Sequence, residues 1–111
     1  MLNINGSKII LTRGDSAHIS VPITRIDGDN ISPYEIQPSD HLRFTAKKSY
    51  SDHLPALQIE ADSRGQFKIS PQDTKELEFG TYVYDIELET SEGDIYTVVP
   101  NGSLVIDREA G

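Results

Sequence analysis

The fold is decided by the stretch Leu77-Glu78-Phe79-Gly80-Thr81-Tyr82-Val83-Tyr84-Asp85-Ile86-Glu87-Leu88. After Gly80, two kinds of side chain alternate without interruption as far as Glu89. One set is aromatic or aliphatic, namely Tyr82, Tyr84, Ile86 and Leu88, and the other set is Val83, Asp85, Glu87 and Glu89. A period of two is typical of a strand that is half buried in an antiparallel sheet. We therefore predict a long strand whose tyrosine-bearing face points into a core.

The residues that lead into this strand predict two local structures. The spacing Leu77-x-x-Gly80-x-Tyr82 resembles the tyrosine corner of Greek-key sandwiches, in which the tyrosine hydroxyl bonds to backbone a few residues upstream. Before it, Ser70-Pro71-Gln72-Asp73 favours a helix start, with a serine cap, a proline at the first position and an acid that reaches back. Since Leu77 is the one apolar anchor before Gly80, we predict only one or two helical turns.

Shorter segments with alternating or apolar patterns predict the remaining strands: 8–11, 19–24, 42–47, 56–61, 67–69, 95–99 and 104–106. We expect Pro22 to lie on a sheet edge, because proline cannot donate to the strand ladder. Residues 62–65 are predicted to form a hairpin loop, and residues 32–39, with two prolines and no period, are predicted to be a loop. Pro100-Asn101-Gly102 permits either a hairpin or a kink within one final strand. The sequence thus predicts an all-β, immunoglobulin-like antiparallel β-sandwich of about seven strands with one short helical turn.

Length and composition restrict the class of protein. A chain of 111 residues predicts a single domain over 1–111, with 1–6 and 107–111 as flexible tails. The lack of cysteine excludes disulfides and thiolate metal sites, and it fits an intracellular or virion protein. A net charge of −8 disfavours nucleic acid and anionic membranes as partners. We see neither a signal peptide pattern nor an apolar run that approaches the ~20 residues of a membrane span.

Two turn-like motifs resemble known recognition motifs, one for integrins and one for calcium. Arg13-Gly14-Asp15 is the tripeptide that integrins recognise on exposed loops, but glycine and aspartate are also ordinary turn residues. Asp27-Gly28-Asp29-Asn30 offers oxygens to calcium, which needs about six to eight of them and usually a closing bidentate acid. Glu35 is the first acid that could close such a loop, so the calcium spacing is absent. We predict a turn at each motif.

The sequence offers no convincing catalytic or metal centre. Ser51-Asp52-His53 places three triad residue types side by side, whereas triad members meet in space from separate elements. His18, His41 and His53 lie far apart without the spacing of metal ligands. We therefore predict no catalytic residue, no cofactor-binding residue and no metal ligand, and we expect a protein that is not an enzyme.

Two other features leave alternatives open. The acidic stripe, which we define as Asp85, Glu87 and Glu89, is either an acid/base or metal site of a small hydrolase or the wet face of a half-covered sheet. Such charge also keeps sheet edges apart, and a partner that bound there would present lysine and arginine. Tyr34 and Tyr50 are the candidate aromatic platform for a sugar, since Tyr82 and Tyr84 are expected in the core.

Several motifs, taken in order, resemble a phage structural module. They are the strand and turn around Arg13-Gly14-Asp15-Ser16, the segments 39–47, 80–88 and 93–98, and the final segment 102–106. This order is similar to that of the N-terminal domain of baseplate upper proteins, and of small head- or tail-fibre proteins, from phages and prophages of Gram-positive bacteria. In that pattern a Gly-Asp-Ser/Thr turn joins two strands, and an Asp-x-Leu-x-Phe-x-x-Lys strand follows. A Gly-x-Tyr-x-Tyr-Asp-Ile strand and a glycine-interrupted last strand complete it.

The resemblance implies a function without catalysis. It covers residues 7 to 107 and implies a virion structural or attachment component of the baseplate, tail or head. Baseplate upper proteins continue into attachment regions that this sequence lacks, so we expect a standalone accessory protein. The implied partners are other virion proteins and further copies of the chain, and the implied location is the virion, or the host cytoplasm before assembly. The alternative is a bacterial surface or carbohydrate-binding immunoglobulin-like module.

Overall fold

The computed structural model describes residues 2–3, 8–20, 23–49 and 51–108. In chain order the elements are β1 (Leu2–Asn3), β2 (Lys8–Thr12), β3 (Ala17–Ser20), β4 (Thr24–Asp27), β5 (Asn30–Pro33), β6 (His41–Lys47), β7 (Leu57–Glu60), β8 (Gln66–Ile69), α1 (Pro71–Thr74), β9 (Gly80–Glu89) and β10 (Ile95–Asp107). No described helix has the length and apolarity needed to span a membrane.

The strands form one large sheet and two small ones. The large sheet has the order β2-β10-β9-β6-β7, while β1-β4-β5 and β3-β8 form the smaller sheets. Neighbouring strands are antiparallel except β2 and β10, which run parallel. Phe67 of β8 packs against Phe44 of β6 at 6.0 Å between ring centroids, so the β3-β8 sheet covers the large sheet. The chain is an all-β sandwich, as its alternating patterns predict.

The core lies between these layers and follows the predicted alternation. Its buried apolar residues are Leu11, Ile23, Leu42, Phe44, Ala46, Leu57, Phe67, Ile69, Tyr82, Tyr84, Ile86, Leu88, Val98, Leu104 and Ile106. Strand β9 contributes four of these side chains from one face, which confirms its predicted tyrosine-bearing face. It pairs with β6 on one side and β10 on the other, so the strand that decides the fold is also the centre of the large sheet.

The two local predictions before β9 are confirmed. The Tyr82 hydroxyl donates to the carbonyl oxygen of Glu78 at 2.8 Å, which is the hydrogen bond of a tyrosine corner. The backbone N–H of Ser70 donates to Asp73 Oδ2 at 2.7 Å, so the acid reaches back over the start of α1. The helix is a single turn that ends before Leu77.

The strand prediction was wrong in three places. Residues 19–24 do not form one strand, because β3 and β4 lie in different sheets; Pro22 falls outside the described residues. Residues 32–33 are not loop but the end of β5, which pairs with β4 although all four of its residues are exposed. Residues 62–65 form a turn but not a hairpin loop, because β7 and β8 pair with different neighbours. The chain therefore has ten strands among its described residues instead of about seven.

The predicted tails need correction where the structure describes them. Leu2–Asn3 pairs with β4 as strand β1, so these two residues are not part of a flexible tail. Asp107 is the last residue of β10 and pairs with Thr12. The rest of the two predicted tails, apart from Arg108, lies outside the described residues.

The ambiguity at Pro100-Asn101-Gly102 is resolved in favour of one interrupted strand. β10 runs through this segment and pairs with β9 on both sides of it, with register shifts between Thr97 and Val99 and between Val99 and Gly102. The second shift places Gly102 opposite Tyr84. A Cβ atom at Gly102 would lie 2.2 Å from ring atoms of Tyr84, closer than any real contact. Glycine is required here because the tyrosine ring occupies the space of a side chain.

We predict that Gly102→Ala destabilises the fold. The ring of Tyr84 is buried and stacks on Phe44 at 4.8 Å, so it cannot move aside without disturbing the core. Overpacking of this kind costs about 1–3 kcal/mol in the free energy of unfolding, measured by urea denaturation. Ser103→Ala, one residue along and partly exposed, is the control and should stay within ~0.5 kcal/mol of the natural chain. Equal stability of the two variants would contradict this packing.

Candidate functional site

A polar cleft lies at one end of the sandwich. Three segments enclose about 500 Å³: β4, the segment that follows β5, and the β9–β10 turn with its flanking residues. The lining residues, which define the Tyr34 cleft, are Arg25, Ile26, Asp27, Tyr34, Gln37, Asp40, Leu88, Thr90, Ser91, Glu92, Asp94 and Tyr96. This volume is within the range of about 300–1,000 Å³ that is common for ligand sites.

Tyr34 is fixed in this cleft by its backbone and its hydroxyl. Its backbone N–H donates to the carbonyl oxygen of Ile23 at 2.8 Å, which continues the pairing of β4 and β5. Its hydroxyl donates to Asp40 Oδ2 at 2.6 Å, and the same oxygen accepts the backbone N–H of Gln37 at 2.9 Å. Asp40 therefore holds both the tyrosine and the 37–40 turn.

The electrostatics of Tyr34 follow from these contacts. The hydrogen bond to Asp40, followed by partial burial and the negative charge of Asp40, raises the pKa of Tyr34 to about 12. The guanidinium of Arg25 lies 5.5 Å from the Tyr34 ring centroid and acts in the opposite direction. The tyrosine thus stays protonated as a hydrogen-bond donor and presents one ring face to a cation.

The other wall of the cleft is the tight turn between β9 and β10. Thr90 N–H donates to the Asp94 carbonyl oxygen at 2.9 Å, and Gly93 N–H donates to the Thr90 carbonyl oxygen at 3.0 Å. Gly93 has φ of +88°, which a residue with a Cβ rarely adopts. The Thr90 hydroxyl oxygen is buried and has no hydrogen-bond partner in the described structure. Tyr96 stands next to this turn with 46% of its surface exposed.

The structure brings the acidic stripe onto the outer face of the large sheet, away from the Tyr34 cleft. Asp85, Glu87 and Glu89 stand opposite Thr45, Arg43 and His41 of β6, respectively. Arg43 also reaches Glu60 of β7 at 3.3 Å, so basic and acidic side chains are interspersed on this face. Among the described residues no three His, Asp or Glu side chains are grouped as metal ligands.

Asp85 differs from the other members of the stripe. Its Oδ1 is buried and has no hydrogen-bond partner within the described part of the chain. Burial, then the charge of Glu87, raises the pKa of the Asp85 carboxyl, and Lys47 lowers it in part. A carboxylate without a partner at this position is a cost to the folded state.

The two turn motifs have structural roles in the fold. Asp15 N–H donates to the Thr12 carbonyl oxygen at 3.1 Å, and Gly14 has φ of +86°, so residues 12–15 form a turn with glycine at its third position. Gly14 N–H also donates to the buried Thr74 Oγ1 at 2.9 Å, which ties the turn to α1. Arg13 lies over the Phe79 ring at 4.1 Å. The segment 27–30 forms the predicted turn. Asp27 pairs with Asn30, and residues 28–29 are the two-residue loop of the β4–β5 hairpin.

The remaining candidates do not meet in space as a site. Residues 51–53 lie together in an exposed loop between β6 and β7, where Ser51 and Ser49 share a hydrogen bond of 2.9 Å. His18 and His41 are exposed on β3 and β6. Of the two platform candidates, Tyr34 lines the cleft and Tyr50 lies outside the described residues. Sequence reasoning missed Arg25, Asp40, Thr90 and Tyr96, which come together only through the sandwich topology.

Comparison with known proteins supports the fold alone. No protein-family model and no curated protein matches the chain. The crystal structure of CopC from Methylosinus trichosporium OB3b is similar with a TM-score of 0.51 and 14% identity, covering 96% of this chain and 89% of that chain. Murine CRIg aligns with a TM-score of 0.45 and 8% identity, over 99% of this chain and 98% of that chain, which is too weak to support an argument. The chain has an immunoglobulin-like β-sandwich fold.

We predict that the pKa of Tyr34 depends on Asp40. In Asp40→Asn the charge is lost, and the pKa should fall from about 12 toward the ordinary value of 10.0. Because the folded-state pKa is the higher one, the stabilisation from this contact is complete below pH ~10 and is lost as the pH rises toward ~12. NMR titration of ring-labelled tyrosine resolves this residue, with Asp29→Asn in the neighbouring turn as the control. An unchanged Tyr34 titration in Asp40→Asn would contradict the assignment.

We also predict that Asp85→Asn stabilises the protein at neutral pH. A carboxyl whose folded-state pKa is raised binds its proton more tightly in the folded state, so the natural chain loses stability as the pH rises through that pKa. The gain from the variant should be at most about 1 kcal/mol at neutral pH, because the carboxyl is only partly buried and solvent screens its charge, and it should vanish below the ordinary pKa of 3.8. Glu89→Gln is the charge-matched control for urea denaturation at both pH values. A destabilised Asp85→Asn would show that the carboxylate makes a favourable contact.

Proposed function

We propose that this protein is a non-enzymatic structural or attachment component of a phage or prophage particle, an accessory of its baseplate, tail or head. It acts through protein–protein contacts, with other virion proteins and copies of itself as partners. It is located in the virion, or in the host cytoplasm before assembly. The observation that carries the proposal is the open edge of the large sheet at β2.

Strand β2 has the features of an edge that accepts another strand. It pairs only with β10, so one side of its five-residue backbone has no strand partner in the described sheet. Ile10, at its centre, is 64% exposed, and the single charge of the strand, Lys8, is confined to its first residue. Natural edge strands are commonly protected by charge, proline or bulges, and an apolar residue on an open edge favours strand addition. We infer that a strand of a second copy or of another virion protein pairs with β2.

Two other surfaces are less suited to this role. The opposite edge strand, β7, carries the exposed Gln58 and Glu60, and Glu60 is paired with Arg43. The segment 1–7 is a further candidate, but the structure describes only two of its residues, Leu2–Asn3, which pair with β4. A two-residue edge offers a partner less backbone than the five residues of β2, which favours β2.

The placement of the motifs is consistent with the resemblance to phage structural modules. The Gly14-Asp15-Ser16 turn joins β2 to β3, and residues 41–47 form β6. The Gly80–Leu88 segment is within β9, and the glycine-interrupted segment is the last strand, β10. These are the strand and turn positions that the resemblance implies. The motifs are structural, and none of them supplies a catalytic group.

The rival role as a carbohydrate-binding module has less support from the site. In this role the flat ring of Tyr34 stacks on a sugar. Its hydroxyl, however, is hydrogen-bonded to Asp40, and the Arg25 guanidinium lies over its ring. Stacking of a sugar on that face would require Arg25 to move. A glycan-array screen that gave specific binding would favour this rival.

We predict that Ile10→Lys abolishes self-association. A charge at the centre of the open edge opposes strand pairing, as in natural edge strands. Light scattering after size exclusion should give a discrete oligomer for the natural chain and a monomer for Ile10→Lys. The matched control is Ile31→Lys, which changes an exposed isoleucine, 72% exposed, at the edge of another sheet. Loss of the oligomer in both variants would contradict β2 as the assembly edge. A natural chain that is monomeric at all concentrations would exclude a second copy as the partner of β2 and leave another virion protein.

The proposed location in the virion is tested by looking for the chain in purified phage particles. Phage particles induced from the strain that carries this gene, and purified on a density gradient, should contain the chain at a fixed copy number relative to the major capsid protein. Quantitative mass spectrometry measures that ratio. Recovery of the chain only in the particle-free fraction would overturn the proposal.

A further inference from the structure

We infer that the Tyr34 cleft binds a lysine or arginine side chain of a partner protein. This inference rests on the proposed function and names the chemistry of one of its contacts. It concerns the end of the sandwich formed by the β4–β5 hairpin and the β9–β10 turn, which is separate from the β2 edge.

The charge of the cleft selects a cation. Four carboxylates line it, those of Asp27, Asp40, Glu92 and Asp94, against the single guanidinium of Arg25, an excess of three negative charges. Only the Asp40 carboxylate is occupied by hydrogen bonds within the described structure. The other three make no ion pair with any described residue. An anionic ligand would be repelled, and a cation would gain from a potential that the net charge of −8 reinforces.

The aromatic residues favour an organic cation over a metal ion. The Arg25 guanidinium already lies 5.5 Å from the Tyr34 ring centroid, so the cleft holds one cation–π contact of the chain's own. Tyr96 lines the same cleft, is 46% exposed, and has no described cation over its ring. No three carboxylates among the described residues are close enough to hold a metal. A side-chain cation can contact a ring and a carboxylate at the same time, which a hydrated metal ion does poorly.

The wall at the β9–β10 turn offers acceptors to a ligand. The carboxylates of Glu92 and Asp94 line the cleft and are exposed. An ammonium or guanidinium group offers several N–H donors and no acceptor, which suits a wall of carboxylate oxygens.

The cleft is lined by both aromatic rings and carboxylates, which suits a protein side chain with an aliphatic stem and a charged head. Lysine and arginine lay their methylene groups along apolar surface while the charged head reaches polar atoms. The tyrosine rings supply the apolar surface, with Tyr96 46% exposed, and Glu92 and Asp94 of the neighbouring turn supply the polar atoms. A basic segment on another virion protein has the complementary charge that the acidic surface of this chain requires.

The test uses the full chain and small amides as probes. Amide NMR spectra of isotopically labelled protein are recorded with N-acetyl-lysine methylamide and N-acetyl-arginine methylamide at millimolar concentration. The neutral N-acetyl-norleucine methylamide, of nearly the same shape as the lysine probe, is the ligand control. We expect saturable shifts in residues 25–27, 34–40 and 90–96 with the basic probes only, and an apparent Kd that rises with salt.

The variant Glu92→Gln/Asp94→Asn should weaken binding of the basic probes by about two- to fivefold for each carboxylate removed. Asp29→Asn is the matched control, since it removes a charge from the neighbouring hairpin turn without lining the cleft. Its Kd should stay close to that of the natural chain.

Three results would overturn the inference. They are equal shifts with the norleucine probe, shifts confined to the acidic stripe, and localised shifts with simple glycosides but none with the basic amides. Failure here leaves the particle and light-scattering experiments untouched, because these report on β2 and on the presence of the chain in virions. Conversely, absence of the chain from particles would remove the virion partner while leaving the measured affinity for the cation unchanged.

Discussion

The packing of the Tyr84 ring between Phe44 and Gly102 is the contact on which the large sheet depends. It joins the three central strands β6, β9 and β10 through one side chain, with ring centroids 4.8 Å apart on one side and no room for a Cβ on the other. The register shifts of β10 place a glycine at this position. Because β2 pairs with β10, the position of the open edge at β2 depends on the same contact. An aromatic ring in the core thus fixes a surface feature two strands away.

Strand β9 sets the distance between the tyrosine corner and the Tyr34 cleft. β9 begins beside the tyrosine corner and Phe79, and it ends at the turn that walls the Tyr34 cleft. Ten residues of extended chain separate these ends by about 33 Å. The corner fixes how the chain enters the sheet, and the glycine turn at its far end fixes where Thr90 and Asp94 stand. One side of the cleft is therefore positioned by the large sheet through the β9–β10 turn. The other side is positioned by the β4–β5 hairpin with its two-residue loop.

Local chemistry explains what the sequence predicts well and what it misses. The alternation of β9, the tyrosine corner at Tyr82 and the acid of α1 act within a few residues, so spacing alone reveals them. Strand β5 escapes prediction because all its residues are exposed and its pattern has no buried face. The turn at 62–65 has the right residues for a hairpin, but the chain crosses between layers there. The cleft is missed for the same reason: Arg25, Tyr34 and Tyr96 belong to different segments, and only tertiary topology unites them.

The parallel pairing of β2 with β10 also sets the order in which the chain can fold. Lys8 stands beside Ser103, about 95 residues later, and β2 has no other strand partner in the described sheet. During synthesis β2 leaves the ribosome early but has no strand partner until residues 103–107 have been made. Strands β6, β7 and β9 are complete before that and can already pair. Pairings between such distant residues are slow to close and leave apolar strands exposed in the meantime. The strand whose partner is synthesised last is thus one of the two edge strands of the finished sheet.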